Sequence, residues 1–421
     1  MSEPDVSDLL TVQQAIAVLD AVAVTPRVEA VPLTGARGMV LAEDLVADRD
    51  YPPFDKSLMD GYAVRAGDVA RTPVALRVVG EVAAGQEAAR ALGAGEAYAI
   101  MTGAPIPPGA EGVVPVEDTA REGDSVRVMR AGDVRRFVAR RGADVAGGVV
   151  VLRRGVRIEA AQIAVAATVG AGSVRVHPRP RVAVLSTGDE LVGVGATPDG
   201  ARIRNSNGPM LTALLSRLGC EAEDVGVCRD DPGELRAAME RALAGRDVLF
   251  VSGGMSMGAY DYVPRLLVEM GFDLRITKLR IKPGKPFVFG VREGSGFGVQ
   301  GSGEEGSSPP SQFVFGLPGN PVSGFACTVR LASRLIARLA GAEVVERWVV
   351  GALAEGVGAN GPREFYQPVR MEWGEGGVRV WPLAWKGSAD LFTLAAADGL
   401  MVRGENEPAR GVGEAVRVMA L

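Results

Sequence analysis

The sequence predicts an α/β multidomain protein: a central, doubly wound, mostly parallel α/β domain, with small β domains and a C-terminal β barrel. Three observations predict it. Between 181 and 341, buried-looking apolar runs that end in Gly- or Asp-rich loops alternate with helical stretches. From 72 to 145 the chain is short β segments broken by Gly and Pro. After 347, period-two alternation between glycine turns suggests a small barrel. A length of 421 residues holds two to four domains. The pattern changes divide the chain into 1–47, 48–146, 147–179, 180–341 and 342–421.

In chain order, 11–24 reads as a helix, with Thr11 and Gln14 as a capping box and Ala15, Ile16, Val18, Leu19 and Val22 as its apolar stripe. Val40 to Val46 reads as a strand. The run Pro52-Pro53-Phe54-Asp55-Lys56-Ser57-Leu58-Met59-Asp60-Gly61 enters extended and turns at Asp60-Gly61, so that a loop presents carboxylates next to Phe54 and Met59. Short strands follow at Val74–Val79, Tyr98–Met101, Gly112–Val116 and Ser125–Val128, and Thr102 ends one of them before a proline turn. Arg140-Arg141-Gly142-Ala143-Asp144 sets two arginines beside one aspartate. A helix is expected over Ala160–Val169.

The α/β grammar then begins. Strands are expected at Arg181–Ser186, Cys220–Val227 and Asp247–Ser252, with helices at Met210–Leu218, after Asp231, and from about Asp261. Asn205-Ser206-Asn207 offers a cap for the first of these helices. Asp231, Pro232 and Glu234 make a complete helix start for the second. A last helix is expected over Val322–Leu339. Ligands of such sheets bind beyond the carboxyl ends of the strands. Those ends carry Thr187 to Glu190, Asp230 and Asp231, Gly253 to Asp261, and the Pro318 loop. In the loop, Ser252, Gly253, Gly254, Ser256 and Gly258 let backbone N–H groups approach a phosphate.

Lys278, Lys282 and Lys285 fall within eight residues around Pro283-Gly284. As a strand, even spacing would put Lys278 and Lys282 on one face, and the turn would return Lys285 to them. Such a cluster between apolar flanks is an anion pocket. The second rigid loop, Pro318-Gly-Asn-Pro321-Val-Ser323, belongs with it. Residues 291–311 read as a flexible Gly/Ser-rich insertion.

Composition removes several function classes. A net charge of −5 with no basic domain argues against nucleic acid. There is no run of eighteen apolar residues, so no membrane span is expected. The acidic start Met1-Ser2-Glu3-Pro4-Asp5 is not a signal peptide, and three cysteines without metal spacing fit a reducing cytoplasm. With His177 as the lone histidine, the chemistry falls to carboxylates, lysines and a hard metal.

The motifs Ser57-Leu-Met-Asp60-Gly-Tyr-Ala-Val64, Met101-Thr-Gly-Ala-Pro105, Ser186-Thr-Gly-Asp-Glu-Leu191, Ser252-Gly-Gly-Met-Ser-Met-Gly258, Lys282-Pro-Gly-Lys-Pro286 and Gly316-Leu-Pro-Gly-Asn-Pro-Val-Ser323 occur in this order. Through them nearly the whole chain resembles the molybdopterin molybdenumtransferase family, MoeA and the gephyrin E domain. The resemblance implies a MogA-like central domain, an elongated dimerisation domain (1–47 with 147–179), and a cytoplasmic homodimer with its site between subunits. It implies Mg²⁺-dependent insertion of molybdenum from molybdate into adenylylated molybdopterin, with release of AMP. It implies that Asp60, Thr102 and Asp144 are supplied across the dimer, and that Glu190, Asp230 and Asp261 handle metal and substrate. Lys278 and Lys282 would hold phosphate, and Lys285, Ser323, Arg363 and Ser388 would hold molybdate beside Pro318 and Pro321. Expected partners are a molybdopterin adenylyltransferase and molybdoenzyme maturation proteins. The alternatives are a molybdopterin-binding scaffold or carrier without turnover, and the adenylyltransferase itself. Two positions depart from the family pattern: Ala143 where Glu is usual and Asn205 where Asp is usual.

Overall fold

The strand run from 181 onward forms a six-stranded sheet in the order Glu221–Cys228, Arg181–Thr187, Val248–Ser252, Gln312–Leu317, Val288–Arg292, Asp273–Ile276. The first four are parallel, and the last two add an antiparallel edge. The structure is a computed structural model that describes residues 9–255, 262–294 and 311–421. The expected insertion lies largely, at 295–310, outside the described residues, as do Ser256, Gly258 and Asp261.

Successive residues of a strand face opposite sides, and here both sides are buried. Val182 and Val184 join one core with Leu211, Phe250, Phe289, Phe315 and Leu335. Ala183 and Leu185 join the other with Leu235, Met239, Val251 and Leu266. Phe315 stacks at 5.0 Å from Phe250 and 5.1 Å from Phe289, measured between ring centroids. Helices on both faces make the sheet doubly wound.

The first helix spans Val12–Ala21 and has the expected capping box. It stops before 24 because Thr25 precedes Pro26, which disfavours helical backbone there. Its buried residues Val12, Ala15 and Leu19 share the core of the α/β domain. The helix expected at Met210 starts earlier, at Asn207 (Asn207–Arg217), because Asn205 Oδ1 accepts from the Gly208 N–H at 3.0 Å. Asp231 caps Pro232–Leu243 through the N–H groups of Gly233 and Glu234, without the reciprocal bond expected from Glu234. The last helix is not uniform. Pro321–Cys327 passes through a π turn, Thr328–Ala332, into Ser333–Leu339. The π turn carries Arg330, which is 5% exposed and donates to Tyr366 at 2.9 Å and Glu346 at 2.5 Å.

Tyr366 belongs to the barrel. Its strands close in the order Glu364–Gly374, Gly377–Pro382, Trp348–Leu353, Ala415–Ala420, Gly399–Arg403, and back to the first. Ile281–Lys282 adds a short parallel strand against Glu364 and Phe365.

The chain divides into two compact units. One holds the described residues up to Ala30, Gly38–Ala42 and Arg175–Leu421; the other holds Val31–Arg37 and Glu43–Val174. The second contains a six-stranded sheet in the order Gly112–Pro115, Gly61–Val64, Glu96–Ile100, Val74–Val82, Ser125–Val128, Thr119–Glu122. Gly61 is required there: a Cβ would lie 2.0 Å from the Val114 carbonyl oxygen. The stretch Val40 to Val46 is broken into two short pieces: Val40–Leu41 belongs to the first unit, and Leu45–Val46 pairs with Val150–Leu152 in the second.

Glu96 is the electrostatic centre of this second unit. Arg90 donates to it at 2.7 and 2.9 Å, the Gly93 N–H at 3.0 Å, and Arg77 adds a third partner. These bonds, Arg90 first, bring its carboxyl down to about 2. A depressed folded value means stability that is complete above the unfolded value of about 4.5 and is lost as pH falls toward about 2. Glu96→Gln is therefore expected to flatten the decline of unfolding temperature over that window; an unchanged slope counts against the assignment. Arg330→Ala leaves Glu364 without its buried cation and Glu346 with Arg334 as its one cation among the described residues, and is expected to cost about 3 kcal/mol by urea denaturation.

Candidate functional site

The carboxyl edge of the parallel sheet is assembled by close backbone approach. Gly253 has φ +103, and a Cβ there would fall 2.2 Å from the Thr187 carbonyl oxygen. Gly254, at φ +63, would press on Val263 and on the Thr187 side chain. The Gly253 N–H donates to the Leu317 carbonyl at 3.1 Å, which ties this loop to the Pro318 loop. Only glycine lets the ends of three strands meet this closely.

The polar side chains at this edge are linked. Thr187 donates to Asp230 at 2.5 Å, and the Asp230 N–H reaches Asp189 at 3.4 Å. Glu190 folds back over Gly188, where a Cβ would meet its carboxylate at 2.6 Å. Glu190 and Asp230 thus share one strand end. Oxygen donors of this kind, with no thiol or imidazole among them, suit a hard divalent ion rather than a soft one. Among the described residues no three such side chains converge, and Asp261, the third expected member, lies outside them.

Asn207 was read in the sequence only as a cap. In the structure its amide donates at 2.7 Å to both Ser252 Oγ and the Gly319 carbonyl, joining two of the expected loops. Its Oδ1 is buried without a partner among the described residues. A non-local link of this sort has no sequence period. Asn205, the departure from the family pattern, is 4% exposed and accepts from the Ser186 hydroxyl and the Gly208 N–H, each at 3.0 Å. An amide oxygen serves both donors as a carboxylate would.

The lysine segment is not the strand that its spacing suggests. Only Ile281–Lys282 is extended. The Leu279 N–H donates to the Lys285 carbonyl at 3.0 Å, so the chain between them is a closed loop and Lys278 stands outside the strand. The reversal is made at Gly284, with φ +122 and a Cβ position 2.5 Å from Cys327 Sγ. Lys282 is exposed, and its Nζ lies 4.6 Å from the centre of the Phe365 ring. Lys278 and Lys285 are half-buried.

Five of the expected anion-binding residues, Lys282, Lys285, Ser323, Arg363 and Ser388, come from elements that meet around this loop. Gly284 rests near the Ser323 carbonyl, 3.8 Å from where a Cβ would sit, which sets Lys285 beside the first turn of the helix that carries Pro321 and Ser323. Ser388 enters from the barrel: its carbonyl accepts from the Val322 N–H at 3.1 Å. Arg363 precedes the strand that pairs with Ile281–Lys282, so it flanks Lys282. Ser323 is buried, while Arg363 and Ser388 are half-buried. Phe365, which supports Lys282 and stacks on Trp385 at 5.7 Å, escaped the sequence reading.

In the second unit, Asp60 accepts from Thr102 twice, from the N–H at 2.6 Å and the hydroxyl at 2.9 Å. Those two bonds, the backbone one first, hold its carboxyl below the usual range. Both residues are exposed; Met101 directly precedes Thr102 and Leu58 lies two residues before Asp60, and each of these apolar residues is 46% exposed. Asp144 is exposed as well, but it is not the partner of the neighbouring arginines. Arg140 binds Asp55 at 2.5 Å, and Arg141 binds Asp50 at 2.6 Å. Both acceptors lie some ninety residues away in sequence, and they leave the Asp144 carboxylate without an ion pair among the described residues.

Comparison with known proteins covers the chain almost end to end. Three family profiles match in order: the MoeA N-terminal region (domain I and II) over 10–170, a probable molybdopterin binding domain over 183–338, and the MoeA C-terminal region (domain IV) over 350–421. The molybdopterin molybdenumtransferase of a Nostoc species is 35% identical over 317 residues, 74% of this chain and 70% of the relative. That of Staphylococcus aureus is 30% identical over 368 residues, 86% and 84% of the two chains. A crystal structure of the molybdopterin biosynthesis MoeA protein from Pyrococcus horikoshii superposes with a TM-score of 0.81 at 32% identity, covering 98% of this chain and 99% of that one. With the glycine-tied strand edge, the lysine loop and the closed barrel in place, these matches establish that the chain belongs to the molybdopterin molybdenumtransferase (MoeA) family.

Proposed function

We propose that the chain inserts molybdenum from molybdate into adenylylated molybdopterin and releases AMP. The observation that carries this reading is the convergence of Lys282, Lys285, Ser323, Arg363 and Ser388 around one loop, in the unit whose strand edge also holds Glu190 and Asp230. An oxyanion and a pyrophosphate-linked nucleotide need cations and N–H donors fixed in advance, and carboxylates close by. Lys282 and Lys285 offset phosphate and molybdate charge. The glycine loop after Ser252 leaves room for phosphate oxygens. Mg²⁺, which takes carboxylate and phosphate oxygens together, would be held by Glu190, Asp230 and the substrate, and supplies charge neutralisation at the phosphoanhydride.

Asp60 serves as a fixed negative charge. Its carboxyl is held low by Thr102, so it is ionised at neutral pH and does not donate a proton. We place Asp60, Thr102 and Asp144 in the site across a homodimer, as the family resemblance implies, and the protein in the cytoplasm, with substrate delivered by a molybdopterin adenylyltransferase and product taken by molybdoenzyme maturation proteins. Among the described residues no helix is long and apolar enough to cross a membrane. The adenylyltransferase alternative leaves the matched N- and C-terminal regions without a use.

Incubation of purified protein with adenylylated molybdopterin, Mg²⁺ and molybdate is expected to release AMP in a molybdate-dependent way. Asp60→Ala should lower the rate about a hundredfold or more. Nucleotide binding without AMP release would instead make the protein a carrier or scaffold. Lys282→Gln is expected to raise KM about tenfold, the loss of one charge-assisted contact; an unchanged KM would remove Lys282 from the phosphate site.

A further inference from the structure

The opposite, amino-terminal edge of the same sheet carries a cleft of about 800 Å³ that the reaction does not use. Arg181 opens one strand, Asp247 directly precedes another, Gln312 opens a third, and Arg292 ends the antiparallel strand beside it, so the topology brings all four to one edge. Arg27 and Arg246 complete a lining with four guanidinium groups. Ligands of open α/β sheets ordinarily sit at the other edge, so this concentration of charge has no role in the reaction proposed above.

The acidic side chains nearby do not use up this charge. Asp247 accepts from Arg27 at 3.0 Å and from the Arg181 N–H at 2.7 Å. Glu293, also on the lining, is exposed and forms no ion pair among the described residues. Arg181 meets Glu221 only at 3.8 Å, with the two side chains 50% and 74% exposed. Arg246 binds Glu223 through one nitrogen at 2.6 Å, while its Nη1 is buried with no partner among the described residues. Arg292 has no carboxylate partner among the described residues. It donates to the Met270 carbonyl at 3.1 Å and to Gln312, lies 4.9 Å from the Phe272 ring, and is pushed down in pKa by burial. A half-buried guanidinium held by neutral groups, beside a sequestered N–H without an acceptor, is a partial anion site.

We propose that this cleft binds the phosphate group of a small phosphorylated molecule. Guanidinium forks match phosphate oxygens in pairs. The volume exceeds that of a bare anion and falls in the range of small-molecule sites, about 300–1,000 Å³. The proposal does not depend on the reaction assigned to the other edge.

The test is calorimetric titration of the full chain with inorganic pyrophosphate and with glycerol 3-phosphate, in the wild type and three variants. A saturable component of the binding is expected that Arg181→Gln and Arg292→Lys each weaken about tenfold and that persists in Lys282→Gln, whose own loss is confined to the lysine loop. Arg181→Gln removes an exposed side chain and keeps the test valid if Arg292→Lys fails to fold. AMP release without added phosphate should be the same in both cleft variants as in the wild type. Absence of saturable binding, or weakening by Lys282→Gln alone, overturns the proposal.

Discussion

A turn with no room for a side chain holds the lysine loop in place. Gly284 lies against Cys327 so closely that any Cβ would overlap the sulfur, and its backbone angle is one that only glycine adopts without strain. Once seated there, the turn fixes what precedes and follows it. Upstream, Ile281 and Lys282 pair with the first barrel strand, which puts Lys282 over Phe365. Downstream, Phe287 enters the core that Phe315 also fills. Barrel, sheet and helix therefore share one junction, and Arg330 adds a second tie from the helix to Tyr366 in the barrel. The loop gains its cations from this packing.

Much of this architecture was legible, for a physical reason. Strands buried on both faces must be apolar without interruption, so Arg181–Thr187 and Val248–Ser252 stand out as runs, and the glycines that end them stand out as breaks. Capping chemistry is equally local, and Thr11 with Gln14 was read correctly from three-residue spacing. The site was legible as a set of motifs whose order matches one family. What escaped is non-local. Thr102 reaches Asp60 across 42 residues, Arg141 chooses Asp50 over the adjacent Asp144, and Asn207 joins Ser252 to Gly319. No periodicity records such choices. The lysine spacing misled because even spacing has meaning only within a continuous strand, and the segment folds back after two extended residues.

The two edges of the sheet solve opposite problems with different residues. At the carboxyl edge, small residues admit backbone to backbone, and lysines, compact charges on flexible stems, join Arg363 as the cations. At the amino edge the cations are all arginines, planar, and two of them, Arg292 and Arg27, are tied to carbonyls or a side-chain amide that limit their movement. Mobility is suited to a group that must be transferred. Rigidity is suited to a group that is only held.

The chain's own sulfur has a further consequence. Burial pushes the thiols of Cys220 and Cys327 up to about 12, and Cys228 is shifted the same way. A protonated, enclosed thiol is a poor metal ligand. Cys327 lies directly beneath the lysine loop, so the sulfur nearest to that loop is among the most inert in the molecule. For a protein that handles a sulfur-rich ligand and a metal that bonds to it, this amounts to chemical insulation: the scaffold offers no thiolate to intercept the cargo, and the dithiolene of the substrate meets no rival from the protein.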